Sequence, residues 1–196
     1  TLSLIDTAKN KAVYKELGEM LFTHFGVSGP LVLSASAYVK KSDYRLEIDL
    51  KPALDDKKLD ARLLRDFGEQ HAKQISTVMR GLLPQAMVEP VLDKAGVAID
   101  TKISEITKVQ RAAIVNALKR FDLTVTGLRP IEEAIITDGG VSLKEIDPKT
   151  MQSKLIDGLY FAGEIIDCAA YTGGYNLQIA FSTAHSAAAA AVASRR

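Results

Sequence analysis

The chain has 196 residues, 47% of them hydrophobic and 25% charged, enough to bury a core and unlike a disordered or fibrous composition. Twenty-five Lys and Arg stand against 24 Asp and Glu, a formal charge of +1 without a long basic block, so the electrostatic footprint of a non-specific nucleic-acid binder is missing and no nucleic-acid partner is expected. The single cysteine, Cys168, excludes an internal disulfide and a Cys-based zinc cluster, and it suits a reducing, cytoplasmic compartment.

The chain opens at Thr1 in an alternating, strand-like run through Leu2 and Leu4, with no charged-then-apolar leader pattern. A strand at a raw terminus needs a pairing partner, so a fragment of a longer polypeptide is expected. Signals to Leu50 are mostly extended, and Tyr44, Leu46, Ile48 and Leu50 alternate with Arg45, Glu47 and Asp49 as a half-buried antiparallel strand requires. One helix interrupts them, with Ser28 as the expected cap and Pro30 in the first turn. Between Lys57 and Arg120 the period becomes helical: Leu59, Leu63, Leu64 and Phe67 share one face, Ile75, Val78, Met79 and Leu82 another, and a further helix is predicted over Lys108 to Lys119. Leu123 to Thr126 and Glu133 to Thr137 return to strand character, and Asp138, Gly139 and Gly140 supply turn chemistry. A soft boundary falls near Gly127.

Leu159, Tyr160, Phe161 and Ala162 form a continuous apolar run, the pattern of a strand buried on both faces of a parallel sheet. A loop of about ten residues, longer than such connections usually are, leads to a helix whose inner face is small: Leu177, Ala180, Phe181, Ala184, Ala188 and Ala191. Gln178, Ser182, Thr183, His185 and Ser186 interrupt this stretch, which falls short of the roughly 20 strongly apolar residues of a membrane span. A strand, a glycine-bearing loop and a helix start make the edge where doubly wound sheets place ligands. Gly173 and Gly174 hold no side chain against a ligand, and the free N–H groups of Tyr175, Asn176, Leu177 and Gln178 favour an anionic group such as a phosphate. Glu164 and Asp167 are acceptors for sugar or polyol hydroxyls. On spacing alone, a plain helix-starting turn beside solvated carboxylates accounts for the same residues equally well.

The run Gly18-Glu19-Met20-Leu21-Phe22-Thr23-His24-Phe25-Gly26-Val27-Ser28-Gly29-Pro30 resembles a signature of a bacterial family of FAD-dependent oxidoreductases that includes aminoacetone oxidase and the flavin-dependent reductases of bile-acid degradation. A second signature is similar in order and content: Gly139-Gly140-Val141, Thr150 to Lys154, Gly158 to Glu164, Asp167, and Thr172 to Gln178. The resemblance implies an α+β chain in two parts. Residues 1–127 would be a substrate-side insert, β-rich to about position 52 and helical after it, and residues 128–196 the C-terminal lobe of a glutathione-reductase-like, Rossmann-type FAD domain. It implies FAD as cofactor, NAD(P)H or dioxygen as redox partner and a small organic substrate. Gly163 and Glu164 would lie near the ribityl and pyrophosphate, Gly173 to Leu177 would cap the flavin, and Gly139 and Gly140 would line the substrate side. No Gly-x-Gly-x-x-Gly follows any strand, so the main pyrophosphate contacts would belong to a missing N-terminal part, and the isolated chain is expected to be inactive. The alternative is a non-enzymatic binding module that retains a flavoprotein-like fold.

Other candidates have plainer readings. His24 could act as an acid or base, since imidazole titrates near neutral pH, yet a hydrogen-bonded structural role competes. His71 and His185 lack partners at metal-ligand spacing. Cys168 has no second thiol, Tyr171 and Tyr175 could stack on a ring or simply pack, and Ser28 reads as a cap. Lys40 with Lys41, Lys57 with Lys58, and Arg195 with Arg196 read as solvated faces.

Overall fold

The alternating apolar positions settle into strands whose register puts one side chain of each pair on a common face. In a computed structural model, which describes residues 1–40 and 43–194, the elements in chain order are β1 (Leu2–Asp6), β2 (Lys11–Glu16), β3 (Leu21–Thr23), β4 (Gly26–Ser28), α1 (Pro30–Ser36), β5 (Tyr44–Ile48), α2 (Asp56–Glu69), α3 (Ile75–Met79), α4 (Gln85–Lys94), α5 (Lys108–Lys119), β6 (Phe121–Val125) and α6 (Tyr175–Ala193). The architecture is mixed α and β. Lys41, Arg195 and Arg196, read above as parts of solvated faces, lie outside the described residues.

Contacts divide the chain into two units, Thr1–Glu19 with Val39–Val125, and Met20–Tyr38 with Thr126–Arg196. The stretch Met20–Tyr38, expected within the insert of residues 1–127, thus groups by contacts with the last third.

The first unit is built on an antiparallel sheet of order β2-β1-β5-β6. Leu4 pairs with Tyr14 on one side and Leu46 on the other, and Leu2 pairs with Ile48, so one face is continuously apolar. The helices bring Leu59, Leu63, Ile114 and Leu118, all fully buried, to the core of this unit. Fully burying such a side chain stabilises by about 1.5–3 kcal/mol. Local signals start the helices where the sequence predicts. Asp55 caps α2 by accepting from the Lys58 N–H at 2.8 Å, and Thr107 and Gln110 form a reciprocal capping box at α5. Lys119, at the last turn of α5, reaches Asp49 at 2.6 Å and the carbonyls of Lys51 and Leu54 at 3.1 and 2.5 Å, fixing the chain that leaves β5.

In the second unit four expectations are corrected. Leu159 to Ala162 is not a strand buried on both faces: Tyr160 makes one antiparallel bridge with Gln152, and the run is half-buried or exposed. The β-branched run at Glu133 to Thr137 is not a strand either, because Pro130 starts a 3-10 turn at Ile131–Glu133 that turns the chain before a ladder can form. Ser28 is not the cap of α1. Gly29, at φ 96°, occupies that position and makes no side-chain hydrogen bond, while Pro30 stands in the first turn as predicted. Among the described residues of this unit the paired strands are β3 and β4, so the expected doubly wound sheet edge is not formed there.

Candidate functional site

Glycines let three segments of the second unit approach closely. Val141 donates its N–H to the carbonyl of Ile165 at 2.8 Å, and Asp167 donates its own to the carbonyl of Val141 at 3.0 Å, a parallel bridge between the two stretches. Gly140, at φ 143°, makes this possible: a Cβ there would collide with the Ile165 carbonyl oxygen and lie 3.0 Å from the Asp167 nitrogen. The Glu164 carboxylate tightens the same junction, its Oε1 accepting from the Thr137 N–H at 2.8 Å and from its hydroxyl at 3.4 Å. Gly139, Gly140, Gly163, Glu164 and Asp167 are therefore brought together. One Glu164 oxygen serves the protein itself, which sequence spacing did not reveal.

The loop after Asp167 is shaped by a side chain from the helix it precedes. Asn176 accepts from the Ala170 N–H and donates its amide to the Ala170 carbonyl, both at 2.8 Å, closing residues 170–176 into a ring of fixed size. The Tyr171 and Tyr38 hydroxyls are hydrogen-bonded to each other. Gly173 and Gly174 then turn with φ of 117° and 90°, a backbone only glycine adopts freely, and α6 begins without a side-chain cap. Gln178 is the first residue whose N–H reaches an intrahelical acceptor, the Gly174 carbonyl at 3.1 Å, so the N–H groups of Tyr175 to Leu177 point along the helix axis with partial positive charge. More than two turns into α6, Thr183 Oγ1 accepts from the Gly163 N–H at 3.0 Å, joining the glutamate segment to the helix.

The surface around this helix start is apolar. Tyr175, Leu177 and Phe181 are 64, 63 and 68% exposed, and a Cβ on Gly174 would meet no atom within 4 Å. An apolar shelf beside unshared N–H donors suits a flat, apolar group with an electron-rich edge. The expected close packing of α6 on a sheet is not seen, since Ala187 is the buried residue among its described positions. Thr137, Thr183 and Ala170 escaped the sequence reading. Thr183 carried one usable signal, a hydroxyl within an alanine-rich helix.

The remaining candidates fall elsewhere. His24 sits in the turn between β3 and β4, its ring edge-on to Phe25 at 5.1 Å. His71 and His185 are exposed, and no group of three His, Cys, Asp or Glu able to hold a metal exists among the described residues. Cys168 is an exposed free thiol. No helix among the described residues is long and apolar enough to cross a membrane.

Residues 1–136 match the family model described as the HI0933-like protein barrel and H2TH domain. The chain is 35% identical over 178 residues to a ribosomal RNA dihydrouridine synthase of Haemophilus influenzae, covering 91% of this chain and 42% of that protein. It is 31% identical over 189 residues to the ribosomal RNA dihydrouridine synthase of Escherichia coli, covering 96% of this chain and 46% of the relative. A 3-dehydro-bile acid delta(4,6)-reductase of Clostridium scindens is 27% identical over 182 residues, covering 90% and 44%. The chain thus spans less than half the length of these curated relatives.

Proposed function

Because the chain belongs to the HI0933-like family, we propose that it forms part of an FAD-dependent oxidoreductase that reduces a carbon–carbon double bond conjugated to a carbonyl in a flat ring. The relatives' names share one chemistry, the saturation of an unsaturated ring system, in uridine for two of them and in a delta(4,6) bile acid for the third. We take the bond to be conjugated to a carbonyl because hydride addition needs an electron sink beside it.

The observation that carries the reading is the convergence of the Gly139–Gly140 stretch, the Gly163–Asp167 stretch and α6, met at Thr183, within one unit. The residues fit a flavin. Open space beside Gly174 would admit a flat ring edge, the exposed Leu177 and Tyr175 would offer it apolar contact, and the N–H groups of Tyr175, Asn176 and Leu177 would be available to electron-rich ring atoms. FAD held there would supply two-electron hydride chemistry, with NAD(P)H as the donor we propose. Gly163 and Asp167 would line the ribityl side, with Glu164 ordering that stretch through Thr137. Gly139 and Gly140 would leave room on the substrate side, since a Cβ on Gly139 meets nothing within 4 Å. The Gly-x-Gly-x-x-Gly fingerprint absent from this sequence would lie in the further length the relatives possess, with residues 128–196 as the returning lobe of the FAD domain. The setting is cytoplasmic, where Cys168 stays a thiol.

The test is to express the chain together with the upstream residues its gene encodes. The protein should purify yellow, bleach anaerobically with NADH or NADPH, and regain colour on adding either unmodified ribosomal RNA or a 3-oxo-4,6-diene bile acid. Recovery with RNA would also overturn the expectation, drawn from charge balance, that nucleic acid is no partner. A protein that purifies without flavin and binds none on reconstitution overturns the reading in favour of a binding module.

A further inference from the structure

We propose that the tip of the β3–β4 hairpin is a stacking site for a neutral, flat, conjugated ring, formed by Phe25 backed by Arg129. The kind of ring rests on the reductase reading; the place rests on the residues themselves. Thr23 pairs with Gly26, which leaves His24 and Phe25 as a two-residue turn. The left-handed position of this turn falls on Gly26, at φ 138°, so the backbone accepts ordinary residues at positions 24 and 25 and two rings stand there without any turn requirement for them.

Phe25 is nevertheless held. The Arg129 guanidinium lies 4.4 Å from its ring centroid, and Glu133 fixes that guanidinium through hydrogen bonds of 2.9 Å to Nε and 2.5 Å to a terminal nitrogen. Thr23 Oγ1 braces the turn by donating to the Gly26 carbonyl at 3.1 Å. Ordering a phenyl ring and a long cationic side chain at a hairpin tip costs rotamer entropy, and Phe25 remains 43% exposed, so little burial offsets that cost. With Arg129 over its ring and the His24 ring edge-on at 5.1 Å, Phe25 is a pre-ordered, partly exposed aromatic group, a platform for another π system. Its chemistry does not favour anions, because Glu133 neutralises Arg129. Recognition would therefore proceed through the ring face of the ligand rather than through a phosphate.

The chain contains no tryptophan, so Phe25→Trp places a single indole at the site. Uridine and, separately, a 3-oxo-4,6-diene steroid would be titrated into this variant, with ligand-observed NMR on the wild type in parallel. The expected result is saturable quenching by one of the two, which identifies the source of the ring. Wild-type binding should weaken by about 5- to 150-fold in Phe25→Ala and by about 2- to 5-fold in Arg129→Ala. Retention of binding by Phe25→Trp separates loss of the platform from loss of fold. Absence of saturable binding to the wild type, or equal binding by Phe25→Ala, overturns the site. No flavin enters these titrations, so failure here leaves the reductase reading to the spectral test, and a flavin-free protein that still stacks the ring would refute that reading alone.

Discussion

The Asn176 amide offers the sharpest perturbation of the candidate cofactor loop. Asn176→Ala removes two hydrogen bonds of 2.8 Å and leaves the Ala170 N–H and carbonyl to compete for water at a partly buried position. At about 1 kcal/mol net for each bond, the closed loop loses about 2 kcal/mol relative to open conformers. If the loop must be closed to receive the flavin, the fraction of competent protein falls, and the apparent dissociation constant rises by up to about 30-fold. Asn176→Asp adds a sign test. An ionised carboxylate still accepts from the Ala170 N–H but faces the Ala170 carbonyl without a proton, so binding should be intermediate near neutral pH. It should recover as pH falls toward the ordinary aspartate value of about 4, where the protonated group regains a donor. The assay is flavin fluorescence quenching on reconstitution of the stripped, gene-length protein across that pH range. Wild-type affinity in Asn176→Ala would refute the reasoning, as would an Asn176→Asp profile that worsens on acidification relative to wild type.

Gly140→Ala should destabilise the second unit by about 2–4 kcal/mol in urea denaturation, since it combines a collision at the Ile165 carbonyl with a φ of 143°; Gly139→Ala, with open space around it, isolates the φ cost alone. Lys119→Met should cost about 2–3 kcal/mol, because it strands Asp49 and two carbonyls at a mostly buried site, whereas Lys58→Met at the exposed Asp55 pair should stay within about 0.5 kcal/mol. The Asp147 carboxyl is held below its usual range by the N–H groups of Lys149 and Thr150. The stability it lends is complete above the ordinary carboxylate value and lost as pH falls through the lowered one, so the gap between wild type and Asp147→Ala should close on acidification. A gap that widens toward acid would contradict the assignment of those two donors.

The first unit was legible because its signals are local and redundant. Alternation at Tyr44 to Ile48 and helical spacing over Lys108–Lys119 each require the observed element, and the burial of Leu46, Val115 and Leu118 agrees with them. The second unit was harder to read. The run Leu159 to Ala162 has strand composition, but strand identity depends on a partner, and the described residues of that unit give Tyr160 one bridge to Gln152. Composition at Glu133 to Thr137 likewise yields to a proline-started turn. At the site, Gly140, Gly173 and Gly174 were visible because glycine is chosen for backbone shape. The grip of Glu164 on Thr137, of Asn176 on Ala170 and of Arg129 on Phe25 was not, since side-chain partners 27, 6 and 104 positions apart leave no periodic trace.

The central claim is that the backbone N–H groups opening α6 receive the flavin. Amide hydrogen exchange across Gly173 to Gln178, compared between flavin-loaded and stripped protein of gene length, measures it directly. Exchange at Tyr175, Asn176 and Leu177 should slow on loading, while Gln178, already bonded to the Gly174 carbonyl, should change least. Unchanged exchange at those three residues, with protection arising in another part of the protein, would contradict the account.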